Sequence, residues 1–190
     1  MRRSLLSTGV VAALGFSLIG APCGGPGPQS RTFAVGSLVI PMDRCYQRTT
    51  REAPPGGGVA CNTTGDDGIY RAYGLVYFLL KNGITVYWMI DPSKTSVTGV
   101  DATVPAPATG SVAKKLNWAN GTFADLIPAG AGISYIGAPF AIDSTDAAKV
   151  VGWLTNPADP NHADFARFQA EAFVDVHQVQ SGFTAAQVRP

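Results

Sequence analysis

Apolar residues in this chain fall into short unbroken runs and into stretches with helical spacing. Ser37-Leu38-Val39-Ile40-Pro41-Met42-Asp43 is an unbroken run closed by an acid, which predicts a strand buried on both faces. From Ile69 onward, Ile69, Ala72, Tyr73, Val76, Leu79 and Leu80 recur at the spacing of one helix face. Asn82-Gly83 supplies the stop, and Lys81 suits the negative end of that helix. Gly74 sits mid-helix, where the absence of a side chain predicts close approach of a strand. Tyr70, Tyr73, Tyr77 and Phe78 read as core. Ile84 to Asp91 is β-branched and aromatic, bounded by Gly83 and Pro92, and predicts a second strand. Strand, helix and strand in this order, without alternation in the strands, predict a βαβ unit with parallel neighbours.

Residues 93–132 carry no pattern that assigns elements, and Val104 to Gly110 reads as an exposed loop. Ile133 to Asp143 is extended, with a bend at Gly137-Ala138-Pro139. Ser144 then caps a helix from Thr145 to Leu154, ended by Asn156-Pro157. A short helix is expected over Asn161 to Ala170, and a last strand over Ala172 to Val179. The expected fold is α/β, a small, mostly parallel sheet flanked by helices, incomplete at the C-terminus and continued past Pro190 in a longer chain.

Composition changes the reading at the front of the chain. Met1-Arg2-Arg3 is followed by a charge-free apolar stretch to Ile19, the layout of an export signal and shorter than a comfortable membrane span. The expected organisation is a signal peptide over 1–22, a Gly/Pro-rich tether over 23–34 and one domain over 35–190. The protein is then a bacterial export product of the periplasm, outer membrane surface or extracellular space. The net charge of +1 becomes −1 once Arg2 and Arg3 leave with the signal. A near-neutral body argues against nucleic acid as a partner.

The three cysteines gain meaning in an exported chain. Cys45 and Cys61 bracket the flexible stretch Pro54-Pro55-Gly56-Gly57-Gly58, and a disulfide between them would contribute about 3 kcal/mol. Cys23 follows the signal, in Ala21-Pro22-Cys23-Gly24, and resembles the lipidated first residue of a bacterial lipoprotein. Pro22 stands where that motif wants a small residue. Membrane tethering through Cys23 and ordinary secretion therefore both stay open.

Candidate chemistry is sparse. Three predicted strands end in aspartate, at Asp43, Asp91 and Asp143, with Lys94 close behind Asp91. Acids that converge beyond strand ends act as general acid and base or bind a divalent metal, and otherwise cap turns. Asp43 and Asp91 form the favoured pair, on strands expected to be neighbours. Asp175 and His177 share a strand face, but about 7 Å of advance separates them, and no Gly-x-Ser-x-Gly elbow supplies a nucleophile. His177 is therefore expected to be structural. No nucleotide loop or paired Cys-x-x-Cys appears, so no cofactor and no metal are expected.

The stretches Leu38–Asp43, Arg71–Tyr77, Val86–Asp91 and Gly137–Asp143 look like the start of a family of large secreted bacterial proteins. Their leading domain is similar to flavodoxin-like and class-I glutamine-amidotransferase-like folds. The resemblance spans roughly residues 35–180 and implies a flavodoxin-like or Rossmann-like three-layer architecture, with further domains beyond Pro190. It brings no activity, because the amidotransferase nucleophile elbow has no counterpart here. The functional expectation is a non-catalytic envelope or surface module of unknown ligand. The alternative is a degenerate or incomplete hydrolase-like or amidotransferase-like enzyme using acids at strand ends.

Overall fold

The structure, a computed structural model, describes residues 29–43, 46–47, 69–126, 132–165 and 174–190. The export signal, Cys23, Cys45 and Cys61 lie outside the described residues. The elements run β1 (Gln29–Phe33), β2 (Leu38–Ile40), α1 (Ile69–Lys81), β3 (Tyr87–Ile90), β4 (Val100–Val104), β5 (Ala113–Asn117) and β6 (Thr122–Asp125). They continue with β7 (Ile133–Ile136), β8 (Phe140–Ile142), α2 (Ser144–Thr155), β9 (His177–Val179) and β10 (Phe183–Arg189).

The expected parallel sheet is corrected. Eight strands form one sheet in the order β1-β10-β3-β8-β2-β9-β5-β6, and every pairing in it is antiparallel. β2 and β3, the two arms of the expected βαβ unit, do run in the same direction. They are not neighbours, because β8 lies between them and pairs antiparallel with both. Likewise β8, α2 and β9 form a second such unit, with β2 inserted. Two interleaved split units, β2-α1-β3 and β8-α2-β9, give the strand order β3-β8-β2-β9, which is the ferredoxin-like βαββαβ connection. The flavodoxin-like and Rossmann-like expectation falls with the parallel sheet.

Additions extend this unit on both sides. β10 and β1 lengthen the sheet beyond β3, so residues 29–33, expected as tether, form a strand. The segment between β3 and β8, unassigned from sequence, sends the β5–β6 hairpin to the far edge beside β9. Its other strands, β4 and β7, pair as a separate two-stranded ribbon.

The sheet thus separates two cores. Leu38, Ile40 and Ile142 point to the helices, where Ala72, Leu75 and Leu79 of α1 and Ala147, Val150 and Trp153 of α2 meet them. Val39, Ala141 and Met89 point the other way, against Val104, Ile133 and Tyr135 of the ribbon. Burying a side chain such as Leu75 or Ile133 contributes about 2 kcal/mol.

α1 ends where the sequence predicts. Gly83 is left-handed at φ +75°, and its N–H donates to Leu80 O while the Ile84 N–H donates to Leu79 O. These two bonds close the helix in a Schellman turn, and Ile84 and Leu79 share the same core. At α2 the cap differs from expectation. Ser144 is already helical, and the cap residue Asp143 turns its carboxylate away to Arg31.

Candidate functional site

The three strand-end aspartates each meet a separate partner. Asp43 accepts the Tyr46 N–H at 3.1 Å. Asp91 accepts both the N–H (2.8 Å) and the hydroxyl (2.6 Å) of Ser93, which hold its carboxyl below the usual range. Asp143 pairs with Arg31, whose guanidinium lies 4.1 Å from the centre of the Tyr87 ring. That ion pair holds the Arg31 pKa above its ordinary value. The favoured pairing of Asp43 with Asp91 is corrected at the level of the sheet, because β8 separates β2 from β3.

Lys94 binds Asp101, a residue that the sequence did not single out. The register of β4 shifts between Val100 and Ala102, so Asp101 is the extra residue of a bulge, which re-aims its side chain inward. One carboxylate oxygen accepts the Asp91 N–H at 3.0 Å. The other accepts the Ala138 N–H at 2.8 Å and the Lys94 ammonium at 2.7 Å. Asp101 thereby ties the end of β3 to the ribbon and to the bend before β8. In that bend Gly137 (φ +76°) and Ala138 (φ +57°) are both left-handed. A Cβ on Gly137 would come within 2.7 Å of Met42 O, so the close approach of backbone requires glycine there.

A buried polar cluster lies between the sheet and the ribbon. His177 on β9 is wholly enclosed, opposite Val39 on one side and Lys115 on the other. Its Nδ1 lies 3.0 Å from the hydroxyl of Tyr135 on β7, and the edge of the Tyr46 ring packs on it. Lys115 pairs with the first carboxylate oxygen of Asp175. The second oxygen and His177 Nε2 are 4.0 Å apart, beyond hydrogen-bond reach, and neither has a hydrogen-bond partner among the described residues. Gln47 fixes the start of this strand: its amide donates to Pro41 O and Asp175 O and accepts the Asp175 N–H.

Burial dominates the electrostatics of this cluster. It lowers the His177 pKa and keeps the imidazole neutral. Asp175 opposes that shift, and the Lys115 charge adds to it. Burial, with Asp43 and Asp175, pushes the Tyr46 phenol up to about 12. Tyr135 is raised by the same burial, with Tyr46 and Asp43 adding to it. Of the strand-end aspartates, Asp43 is thus the one whose charge reaches this cluster. Tyr135, His177 and Asp175 are too enclosed to meet a substrate, whereas Lys115 and Tyr46 are partly exposed. Among the described residues no three His, Cys, Asp or Glu side chains group as a metal site.

Unengaged surface chemistry concentrates on α1. Tyr70, Tyr73, Tyr77 and Leu80 are exposed, with Tyr70 at 77 % and Tyr77 at 69 %. The expectation that these tyrosines belong to the core is corrected: Ala72, Leu75, Val76, Phe78 and Leu79 fill it instead. At 100° per residue the four exposed residues fall within about 80° of the helix circumference. Tyr73 packs edge-on against Phe140, which stacks with the half-exposed Trp88 of β3. The aromatic surface therefore continues from the helix onto the sheet. Gly74 lies within it and is exposed to solvent.

Comparison of the chain with protein-family models, with curated proteins and with solved structures finds no match.

Proposed function

We propose that this protein is an exported, non-catalytic module of the cell envelope or surface that acts by contact through the aromatic face of α1. The observation that carries the reading is the alignment of Tyr70, Tyr73, Tyr77 and Leu80, all more than half exposed, on one side of a single helix. Scattered exposed apolar residues are ordinary, whereas a contiguous patch marks an interaction surface. The engagement of Asp43, Asp91 and Asp143 in turns and an ion pair supports a non-catalytic role. Export rests on the basic start and apolar stretch of residues 1–22.

The test is a Tyr70→Lys/Tyr77→Lys variant of the full chain, expressed from a bacterial host and followed by cell fractionation. Both side chains lie outside the core, so circular dichroism and the melting temperature should match the unmodified protein. Retention in the envelope fraction should drop. A variant that folds and is retained equally well removes the contact reading. Intact mass of the mature chain checks the leader, and lipid mass on Cys23 separates the tethered form from the secreted one.

A further inference from the structure

We propose that the enclosed cluster beside β9 is an acid-sensitive ion exchanger: when His177 takes a proton, the Asp175 carboxylate leaves Lys115 for the imidazolium and frees the lysine to solvent. The device is separate from the α1 face and does not depend on what that face contacts.

The geometry starts from two facing atoms. Asp175 Oδ2 and His177 Nε2 are both enclosed and 4.0 Å apart, and neither has a hydrogen-bond partner among the described residues. Asp175 gives its other oxygen, Oδ1, to the Lys115 ammonium. A proton on His177 turns Nε2 into a charged donor opposite a bare carboxylate oxygen. Charge-assisted N–H···O bonds close to about 2.7–2.9 Å, so the carboxylate has only about 1 Å to travel.

The surroundings decide what moves. Gln47 holds the backbone of Asp175 on both sides, donating to Asp175 O at 2.9 Å and accepting the Asp175 N–H at 3.0 Å. β9 pairs with β2 at Val39 and with β5 at Lys115, which fixes the His177 backbone. The ring itself is held by the Tyr135 hydroxyl, 3.0 Å from Nδ1, and by the edge of Tyr46. That hydroxyl donates to a neutral ring or accepts from an imidazolium equally well, so it does not oppose the proton. The side chains of Asp175 and Lys115 are left as the moving parts.

The groups that face His177 also decide which cation keeps the carboxylate. They are Asp175 on its own segment, Lys115 on β5, Tyr135 on β7 and Tyr46, with Asp43 after β2 acting on the two tyrosines. β2 itself presents the apolar Val39. An imidazolium at this position is wholly buried, and Asp175 Oδ2 is the acceptor that faces its Nε2. The Lys115 side chain is 33 % exposed, so water can replace its carboxylate. An enclosed charge without a partner costs far more than a lysine returned to water, and Asp175 therefore goes to His177. Burial and the Lys115 charge both hold the His177 pKa below its ordinary value, which sets the exchange on the acid side of it. A proton taken into the interior thus emerges as a free ammonium on β5.

A side-chain NMR titration of the full-length chain tests this, with the amide spectrum reporting the fold. His177 should titrate reversibly in the folded protein, with a protected Nε2–H signal appearing as it does. The Lys115 ammonium signals, assigned by their loss in Lys115→Met, should move to free-lysine positions with the same midpoint. Those of its neighbour Lys114 should not follow that midpoint. Lys115→Met should raise the His177 midpoint by about one pH unit or more, and Asp175→Asn should lower it and free Lys115 at every pH. In His177→Gln, Lys115 should stay paired throughout the same range. A His177 that titrates while Lys115 stays paired overturns the inference, as does a Lys115 transition that persists unaltered in His177→Gln. Unfolding before or together with the protonation of His177 also overturns it, because the exchange requires the native backbone.

Discussion

Replacing Asp101 by asparagine tests whether one buried carboxylate holds three parts of the fold together. The side chain is fully enclosed, and its two oxygens accept the Asp91 N–H, the Ala138 N–H and the Lys94 ammonium within 3.0 Å. Asparagine keeps the shape but brings one acceptor and two donors. Its oxygen is best placed against Ala138 and Lys94, which turns the amide NH2 against the Asp91 N–H. One backbone donor is then buried without a partner, at about 1–3 kcal/mol. Lys94 also loses its counter-charge, which brings the total to about 2–4 kcal/mol. Asp101→Ala should cost about 3–5 kcal/mol, since all three donors lose their acceptor. Urea unfolding followed by circular dichroism measures the loss. Tryptophan fluorescence adds a local probe, because the Trp88 indole N–H donates to Ala138 O in the same bend. Combining Lys94→Met with Asp101→Asn should recover about 1 kcal/mol by removing the unpaired cation. An Asp101→Asn protein within about 0.5 kcal/mol of the parent, or no recovery in the double variant, would refute the bracket argument.

Three further outcomes follow from the same geometry. The His177 pKa is depressed in the folded state, so the unfolded chain binds the proton more readily: its contribution is complete above about pH 6.5 and declines as pH falls. His177→Gln should flatten this acid limb in urea titrations at about pH 7 and about pH 5, and an unchanged slope would exclude His177 as its source. Tyr135→Phe should cost about 1–2 kcal/mol by removing the hydroxyl beside Nδ1, and the His177 ring proton signals should shift with it. Gly137→Ala should cost about 2 kcal/mol or more, from the left-handed backbone and the contact with Met42 O, whereas Gly110→Ala, with open space around it, should cost less.

Much of the local structure was legible in the sequence. The spacing from Ile69 to Leu80 and the Asn82-Gly83 stop predict α1, and the bend at Gly137–Pro139 separates β7 from β8 as read. The inference from strands to a parallel sheet failed for a physical reason. Leu38-Val39-Ile40 lacks alternation because both faces are covered, by helices on one side and the β4–β7 ribbon on the other. A continuous apolar run reports two-sided burial, and parallel order is only one way to reach it. β10 was missed although Phe183, Ala185 and Val188 are buried while Thr184 and Arg189 are exposed. Asp101 and Tyr135 were out of reach of local reading, because their partners Ala138 and His177 lie 37 and 42 residues away. The tyrosines of α1 carry a real periodicity whose solvent-facing side the spacing alone could not identify.

The place of β10 in the sheet bears on when the protein can fold during synthesis. Residues 183–189 lie between β1 and β3, so residue 29 has residue 188 as its partner. A growing chain that has released everything up to β9 still lacks the strand that joins its beginning to its middle. Among the described residues β1 has no other neighbour in the sheet, and β3 without β10 keeps one side open. Completion of this sheet therefore waits for residues 183–189, and contacts of such long sequence separation slow that step. A ribosome-stalled chain ending before Phe183 should remain sensitive to protease throughout β1, long after the α1 segment has emerged.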